Sequence, residues 1–157
     1  VLKENFRKKM AIVFSDISGF TKYIDTWGDI RGRSWLQKHH DMVLPIFDTH
    51  GGQVRKIMGD GIMATFPTAL AAVNACIAIH SRLDEYNSKT DPEDKIHVHI
   101  GINWGEILLD GNDIAGDAVN VASRIQSRAS SDQLLVSKSV YEEVYGNEDI
   151  LSRFHGE

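Results

Sequence analysis

The chain has one cysteine and three prolines in 157 residues. It also has no apolar run approaching the ~18 residues that a membrane-spanning helix needs. A single thiol excludes an internal disulfide and accords with a reducing cytoplasm, which is where the domain is expected. Cys76 lies in the apolar, alanine-rich run from Ala71 to Ala78 and reads as a core residue rather than a nucleophile. Positive charge is scarce too: 17 Lys and Arg stand against 22 Asp and Glu, a net charge of −5. That balance argues against a protein that covers nucleic-acid phosphates with cations, so no nucleic-acid partner is expected. The first residues lack a signal-peptide pattern, and the piece is expected to be soluble. It starts at Val1 and stops in Ser152–Glu157, which reads as a strand cut short. The expectation is a domain from a longer chain with an upstream sensor or regulatory region and room for membrane attachment.

What is present is an ordinary globular composition, 42% hydrophobic and 25% charged. A chain near 150 residues buries roughly 68–70% of its unfolded surface around one core, so one domain is expected, with residues 1–9 as a connector and 10–157 as the folded unit. Leu2 and Phe6, four apart, suggest that the connector is helical. From Lys9 to Asp16 a short apolar run stopped by Ser18-Gly19 reads as a buried strand. Phe20, Tyr23, Ile24 and Trp27 give a short helix ended by Gly28. A second helix is expected over Ser34–Thr49, kinked or broken at Pro45. Gln53–Met58 and Ile62–Phe66 read as a hairpin around Gly59-Asp60-Gly61. An alanine-rich helix follows Pro67-Thr68 to about Asn87.

Two antiparallel strands are then expected, Ile96–Ile102 and Glu106–Asp110, around a turn at Trp104-Gly105. A helix opened by Gly116-Asp117, a short strand Leu134–Val136 and a last helix from Lys138 to Tyr145 complete the chain. This order is an α+β fold, a ferredoxin-like palm with a βααβ-type sheet and helices packed mainly on one face.

Three pairs of polar residues carry the candidate chemistry. Asp16 and Asp60 stand where strands end. Carboxylates suit Mg²⁺ or Mn²⁺, which take only one or two of them and fill the remaining positions with water and phosphate oxygens. Taken singly, Asp16 reads rather as a helix cap and Asp60 as a turn residue. Asn120 and Arg124, four apart, share one helical face. Arg is a permanently charged fork suited to phosphate, and Asn can orient a ribose oxygen or meet developing charge, although alone the pair reads as a solvated face. Lys56 offers only donors and an ionised Asp113 only acceptors. Together they match the edge of adenine, an acceptor ring nitrogen beside a donor amino group; alone they read as surface charges. His39, His40 and Asp41 are consecutive on a helix, point in different directions and read as solvated or half-buried. His97 and His99 read as sheet-face residues, and Asp91–Asp94 as a solvated loop.

Four ordered motifs join these pairs: Phe14-Ser15-Asp16-Ile17-Ser18-Gly19-Phe20-Thr21, Lys56-Ile57-Met58-Gly59-Asp60, Gly101-Ile102-Asn103-Trp104-Gly105-Glu106, and Gly116-Asp117-Ala118-Val119-Asn120-Val121-Ala122-Ser123-Arg124. From about Met10 to about Tyr145 the chain resembles the class III nucleotidyl cyclase catalytic domain. The resemblance implies that Asp16, Asp60 and the Ile17 carbonyl bind two divalent cations, Mg²⁺ or Mn²⁺. It implies that Lys56 and Asp113 select the purine and that Asn120 and Arg124 stabilise the transition state. It further implies that ATP becomes cyclic AMP and pyrophosphate at sites shared by a head-to-tail homodimer. The segment from Glu106 to Gly116 is shorter than in many relatives, where an arm reaches the partner, so weak dimerisation of the isolated domain is expected. Relatives often place another phosphate-binding Lys beyond the point where this sequence stops, and lower activity than the parent's is expected for that reason.

The alternatives are a guanylate cyclase, which the polarity of Lys56 and Asp113 opposes, and a regulatory cyclase-homology domain, expected to have lost some of the six residues. A diguanylate-cyclase-like palm lacks its Gly-Gly-Asp-Glu-Phe turn here: the hairpin reads Met58-Gly59-Asp60-Gly61-Ile62.

Overall fold

A computed structural model describes residues 6–146. Residues 1–5 of the expected connector and the expected strand at 152–157 lie outside the described residues. Among the described residues the fold is a six-stranded sheet and five α-helices. The strands are β1 (Phe6–Ile17), β2 (Gln53–Met58), β3 (Gly61–Phe66), β4 (Val98–Asp110), β5 (Asp113–Ala115) and β6 (Leu134–Val136). The helices are α1 (Phe20–Trp27), α2 (Asp29–Thr49), α3 (Ala69–Asn87), α4 (Asp117–Arg128) and α5 (Lys138–Val144).

Sheet order is β2-β3-β1-β4-β5, all antiparallel, with β6 added parallel to β4. The apolar run Met10–Val13 is buried because β1 lies between β3 and β4 with both faces covered. On one face α2, α3 and α5 bring Trp35, Val43, Phe47, Cys76, Ile79 and Val140 against Ala11, Val13, Ile62 and Ile100. On the other, α4 brings Ala122 against Met10, Ile12, Met63, Ile107 and Ile114. The expected α+β palm with helices mainly on one face is what is found, with α4 alone opposite. Cys76 is fully buried, and burial pushes its thiol above its ordinary range.

Four expectations need correction. First, Phe6–Lys9 is strand rather than helical connector: these residues pair with Leu109–Glu106 of β4 while all four stay exposed, so no alternating apolar pattern announces the strand. Second, α2 begins at Asp29, not Ser34, and runs unbroken through Pro45. The carbonyl that a proline leaves unpaired belongs to the residue four earlier. Here that is Asp41, which is exposed to water. Gly32, an unpromising helix residue, is used because α1 crosses there: a Cβ on it would lie 2.6 Å from Ile24 Cγ1. Third, Val98–Asp110 is one 13-residue strand facing β1 throughout, not two strands around a turn. Gly105 is there because α4 passes over it, a Cβ at that position falling 2.9 Å from Ala118 Cβ. Fourth, a short β5 follows the Gly111-Asn112 turn, where only a turn is expected.

The start of α2 is clamped to the loop before β4. Tyr23 donates to Asp94 Oδ1 at 2.6 Å, Arg31 reaches the same oxygen at 2.9 Å, and Trp35 Nε1 donates to the Asp94 carbonyl at 3.0 Å. Arg31 also stacks over Trp27, 3.9 Å from its ring centroid. The acidic run is therefore only partly a solvated loop, since Asp94 is a structural anchor. The carboxylates of Asp91, Glu93 and Asp94 lie close together at the surface, away from Asp16 and Asp60 in the chain.

Candidate active site

Asp16 precedes the last residue of β1, and Asp60 is the second residue of the two-residue β2–β3 turn. Gly59 takes the first position of that turn with φ +62°, a positive value that two-residue hairpin turns assign to glycine. The turn folds back onto the end of β1: a Cβ on Gly61 would lie 3.7 Å from Asp16 Oδ1. The two carboxyls meet, and Asp16 is pushed up to about 7, first by burial and then by the Asp60 carboxyl beside it; the Ile17 backbone pulls the other way. Asp16 Oδ1 is buried and has no hydrogen-bond partner. An orphaned carboxylate oxygen facing a second carboxylate, with an amide backbone adjacent, is a donor set of hard oxygens that fits a divalent cation.

His39 and His40 back this turn. His39 is completely buried rather than solvated or half-buried, and its Nδ1 lies 2.9 Å from Nδ1 of His40. The His40 ring faces the Gly59 backbone, which favours its charged form but does not outweigh burial. Burial and then the charge of His40 lower His39 to about 4; burial lowers His40 as well. Sequence reasoning missed this role, although His39 falls on the apolar stripe of α2 with Trp35, Val43 and Phe47.

Asn120 and Arg124 lie exposed on α4. The helix is held tightly to β4: a Cβ on Gly101 would collide with the Gln126 backbone at 2.3 Å, Asn103 Nδ2 donates to the Ala118 carbonyl at 3.0 Å, and Gln126 Nε2 lies 2.8 Å from His99 Nδ1. His99 pairs across the sheet with Asp16. It is thus the link between α4 and the carboxylate strand, more than a plain sheet-face residue. His97 instead pairs with Asp132 at 2.8 Å.

Lys56 and Asp113 are exposed, on strands at opposite ends of the sheet order that nevertheless approach each other in space. The Asp113 carboxylate accepts from the Ile114 amide at 2.8 Å. Among the described residues, no hydrogen bond or ion pair joins Lys56, Asp113, Asn120 or Arg124 to one another or to the Asp16–Asp60 pair. One chain brings the two carboxylates together and leaves the four other side chains reaching outward.

Fold and site together define an α+β palm whose strand ends present a paired-carboxylate centre suited to divalent cations. Residues 2–153 match the family described as the adenylate and guanylate cyclase catalytic domain, and the chain belongs to it. An adenylate cyclase of Podospora anserina is 31% identical over 158 residues, covering 86% of this chain and 7% of the relative. An adenylate/guanylate cyclase/hydrolase structure from Silicibacter pomeroyi is 34% identical, with a TM-score of 0.75 over 87% of this chain and 79% of that one. The adenylyl cyclase CyaB structure from P. aeruginosa is 26% identical, with a TM-score of 0.78 over 90% and 82%. A guanylyl cyclase structure is also 26% identical. The curated relatives are much longer proteins, of which this chain spans a quarter or less in the first three cases. Among the described residues no helix is long and apolar enough to cross a membrane.

Proposed function

We propose that this domain is an adenylate cyclase that converts ATP to 3′,5′-cyclic AMP and pyrophosphate at sites shared by two copies of the chain. The observation that carries the reading is the Asp16–Asp60 pair with its buried, unpartnered oxygen. Asp16, Asp60 and the Ile17 carbonyl would hold two divalent cations, Mg²⁺ or Mn²⁺. Such cations, when bound, supply activation of the ribose 3′-hydroxyl and stabilisation of the triphosphate charge. Lys56 donates to the adenine ring nitrogen while Asp113 accepts from the amino group, an arrangement that guanine, with the reverse polarity, does not satisfy. Arg124 takes up charge on the phosphate oxygens as pyrophosphate leaves, and Asn120 orients the ribose against it.

A shared site accounts for the outward reach of Lys56, Asp113, Asn120 and Arg124. In a head-to-tail pair these residues of one protomer would face Asp16 and Asp60 of the other. The exposed Ile57 and Met58, next to Lys56, are apolar surface that such a pairing would cover. The test is incubation of the domain with ATP or GTP and Mg²⁺ or Mn²⁺ across a range of protein concentrations. Cyclic AMP formed in preference to cyclic GMP supports the reading. A preference for GTP would make it a guanylate cyclase, and bound nucleotide without product would make it a regulatory domain. Location in the cytoplasm, an upstream regulatory region and a connector ahead of the catalytic unit belong to the same proposal, with Phe6–Lys9 counted in the catalytic unit as part of β1.

A further inference from the structure

Strand β2 carries an irregularity that bears on base selection. Its register against β3 shifts between Val54 and Lys56, so Arg55 is the extra residue of a β-bulge. Beyond the bulge Lys56 stands opposite Met63, which packs in the cluster under α4. Directly opposed residues share a face of the sheet. Without the bulge Lys56 would stand opposite Ile62, whose side chain lies on the face covered by α2 and α3. The bulge therefore decides which side of the sheet the Lys56 ammonium leaves from.

The bulge is held from two directions. Arg55 Nε donates to Thr65 Oγ1 at 2.9 Å within the hairpin. Its carbonyl accepts from Asn112 Nδ2 at 3.2 Å, and Asn112 Oδ1 accepts from Gln53 Nε2 at 2.7 Å. Asn112 is the second residue of the β4–β5 turn and the immediate neighbour of Asp113. One amide side chain thus ties the residue before Lys56 to the residue before Asp113, although β2 and β5 share no ladder. Both its donor and its acceptor are used, which sets the side chain's orientation as well as its place.

We infer that Asn112 is a positioning residue for purine selection: by bridging Gln53 and the bulged Arg55 it sets the separation and direction of Lys56 and Asp113. The inference rests on the base-recognition role proposed above for that pair. Asn112 itself touches no substrate atom in this scheme and acts through its neighbours.

The experiment compares wild type with Asn112→Ala, Asn112→Asp and Gln53→Ala. It reads KM and kcat for ATP and GTP with Mn²⁺, ATP and GTP affinities by calorimetry, and melting temperature. Asn112→Ala is expected to raise KM for ATP about tenfold and to narrow the ATP-over-GTP preference by a similar factor, with kcat at saturating ATP within about twofold. Asn112→Asp keeps the acceptor for Gln53 but sets a carboxylate against the Arg55 carbonyl, so it should do no better than Ala. Gln53→Ala leaves the Arg55 bond and should show a smaller shift in the same direction. An unchanged preference in Asn112→Ala overturns the inference, as does a fall in kcat with KM and preference untouched, or full function in Asn112→Asp. If wild type binds ATP without turnover, loss of ATP-over-GTP binding preference in Asn112→Ala still supports the positioning role while the cyclase reading falls. If wild type binds neither nucleotide, both fall.

Discussion

Asp16 is the residue at which the structure departs most from an isolated amino acid. Its carboxyl is pushed up to about 7 because it is buried against Asp60, far above the 3.8 of an ordinary aspartate. The cation-free fold therefore holds a proton that the unfolded chain gives up, and this contribution to stability is fully present below about pH 4 and lost as pH rises towards 7. Asp16→Asn should raise the cation-free melting temperature at pH 8, by the equivalent of about 1 kcal/mol once solvent screening is allowed for, and abolish stabilisation by Mn²⁺. Calorimetry with and without Mn²⁺ checks both, and a variant still stabilised by Mn²⁺ would remove Asp16 from the cation site. His39 works with the opposite sign. Lowered to about 4, it binds fewer protons folded than unfolded, so its contribution is present above about pH 6.5 and lost as pH falls through 4. Replacing it with Leu should flatten the acid limb of the stability curve, seen as a difference from wild type between pH 4 and 6.5. Asn120→Ala should lower turnover by about 10² to 10³ if Asn120 meets charge only in the transition state; equal turnover would sink that role.

Among the elements, α4 and β4 are matched surfaces. Gly101 admits the backbone of Gln126 to within a distance no side chain tolerates, and Gly105 admits Ala118. Gly101→Ala must push α4 away from the sheet, and with it Asn120 and Arg124. It should cost at least about 2 kcal/mol in chemical denaturation and reduce turnover at 25 °C, where the variant is still folded. Gly105→Ala meets only a methyl group and should cost less. The order of elements was largely legible, because helical and alternating apolar patterns are local. The misreadings at β4 and α2 share a cause: Gly105, Gly28 and Gly32 look like chain breakers in sequence. Gly105 and Gly32 are instead places where another helix presses close, while Gly28 joins α1 to α2 with its own positive φ. Nothing local distinguishes a glycine that turns a chain from one that admits a neighbour.

For the whole molecule the question is how two copies combine. If the site is shared, specific activity should rise with protein concentration in the micromolar range and then level off. Ile57→Glu should weaken that rise while shifting the melting temperature of the dilute protein by less than about 2 °C, because Ile57 is already 48% exposed within one chain. Analytical ultracentrifugation alongside the assay separates lost association from lost chemistry. Unchanged activity per chain at every dilution would place the complete site in one protomer.

By itself the sequence determined the family, the palm and the six candidate side chains, because spaced motifs and apolar periodicity are written along the chain. Tertiary structure alone decided which of those side chains meet. It closed Asp16 onto Asp60 with a buried oxygen left unpartnered, and sank His39 behind the turn that carries Asp60. It sent Lys56 to the α4 side of the sheet through a bulge that Asn112 holds from a distant turn. Each of these depends on a contact between segments far apart in the chain, where burial and pairing set the chemistry that residue type leaves open.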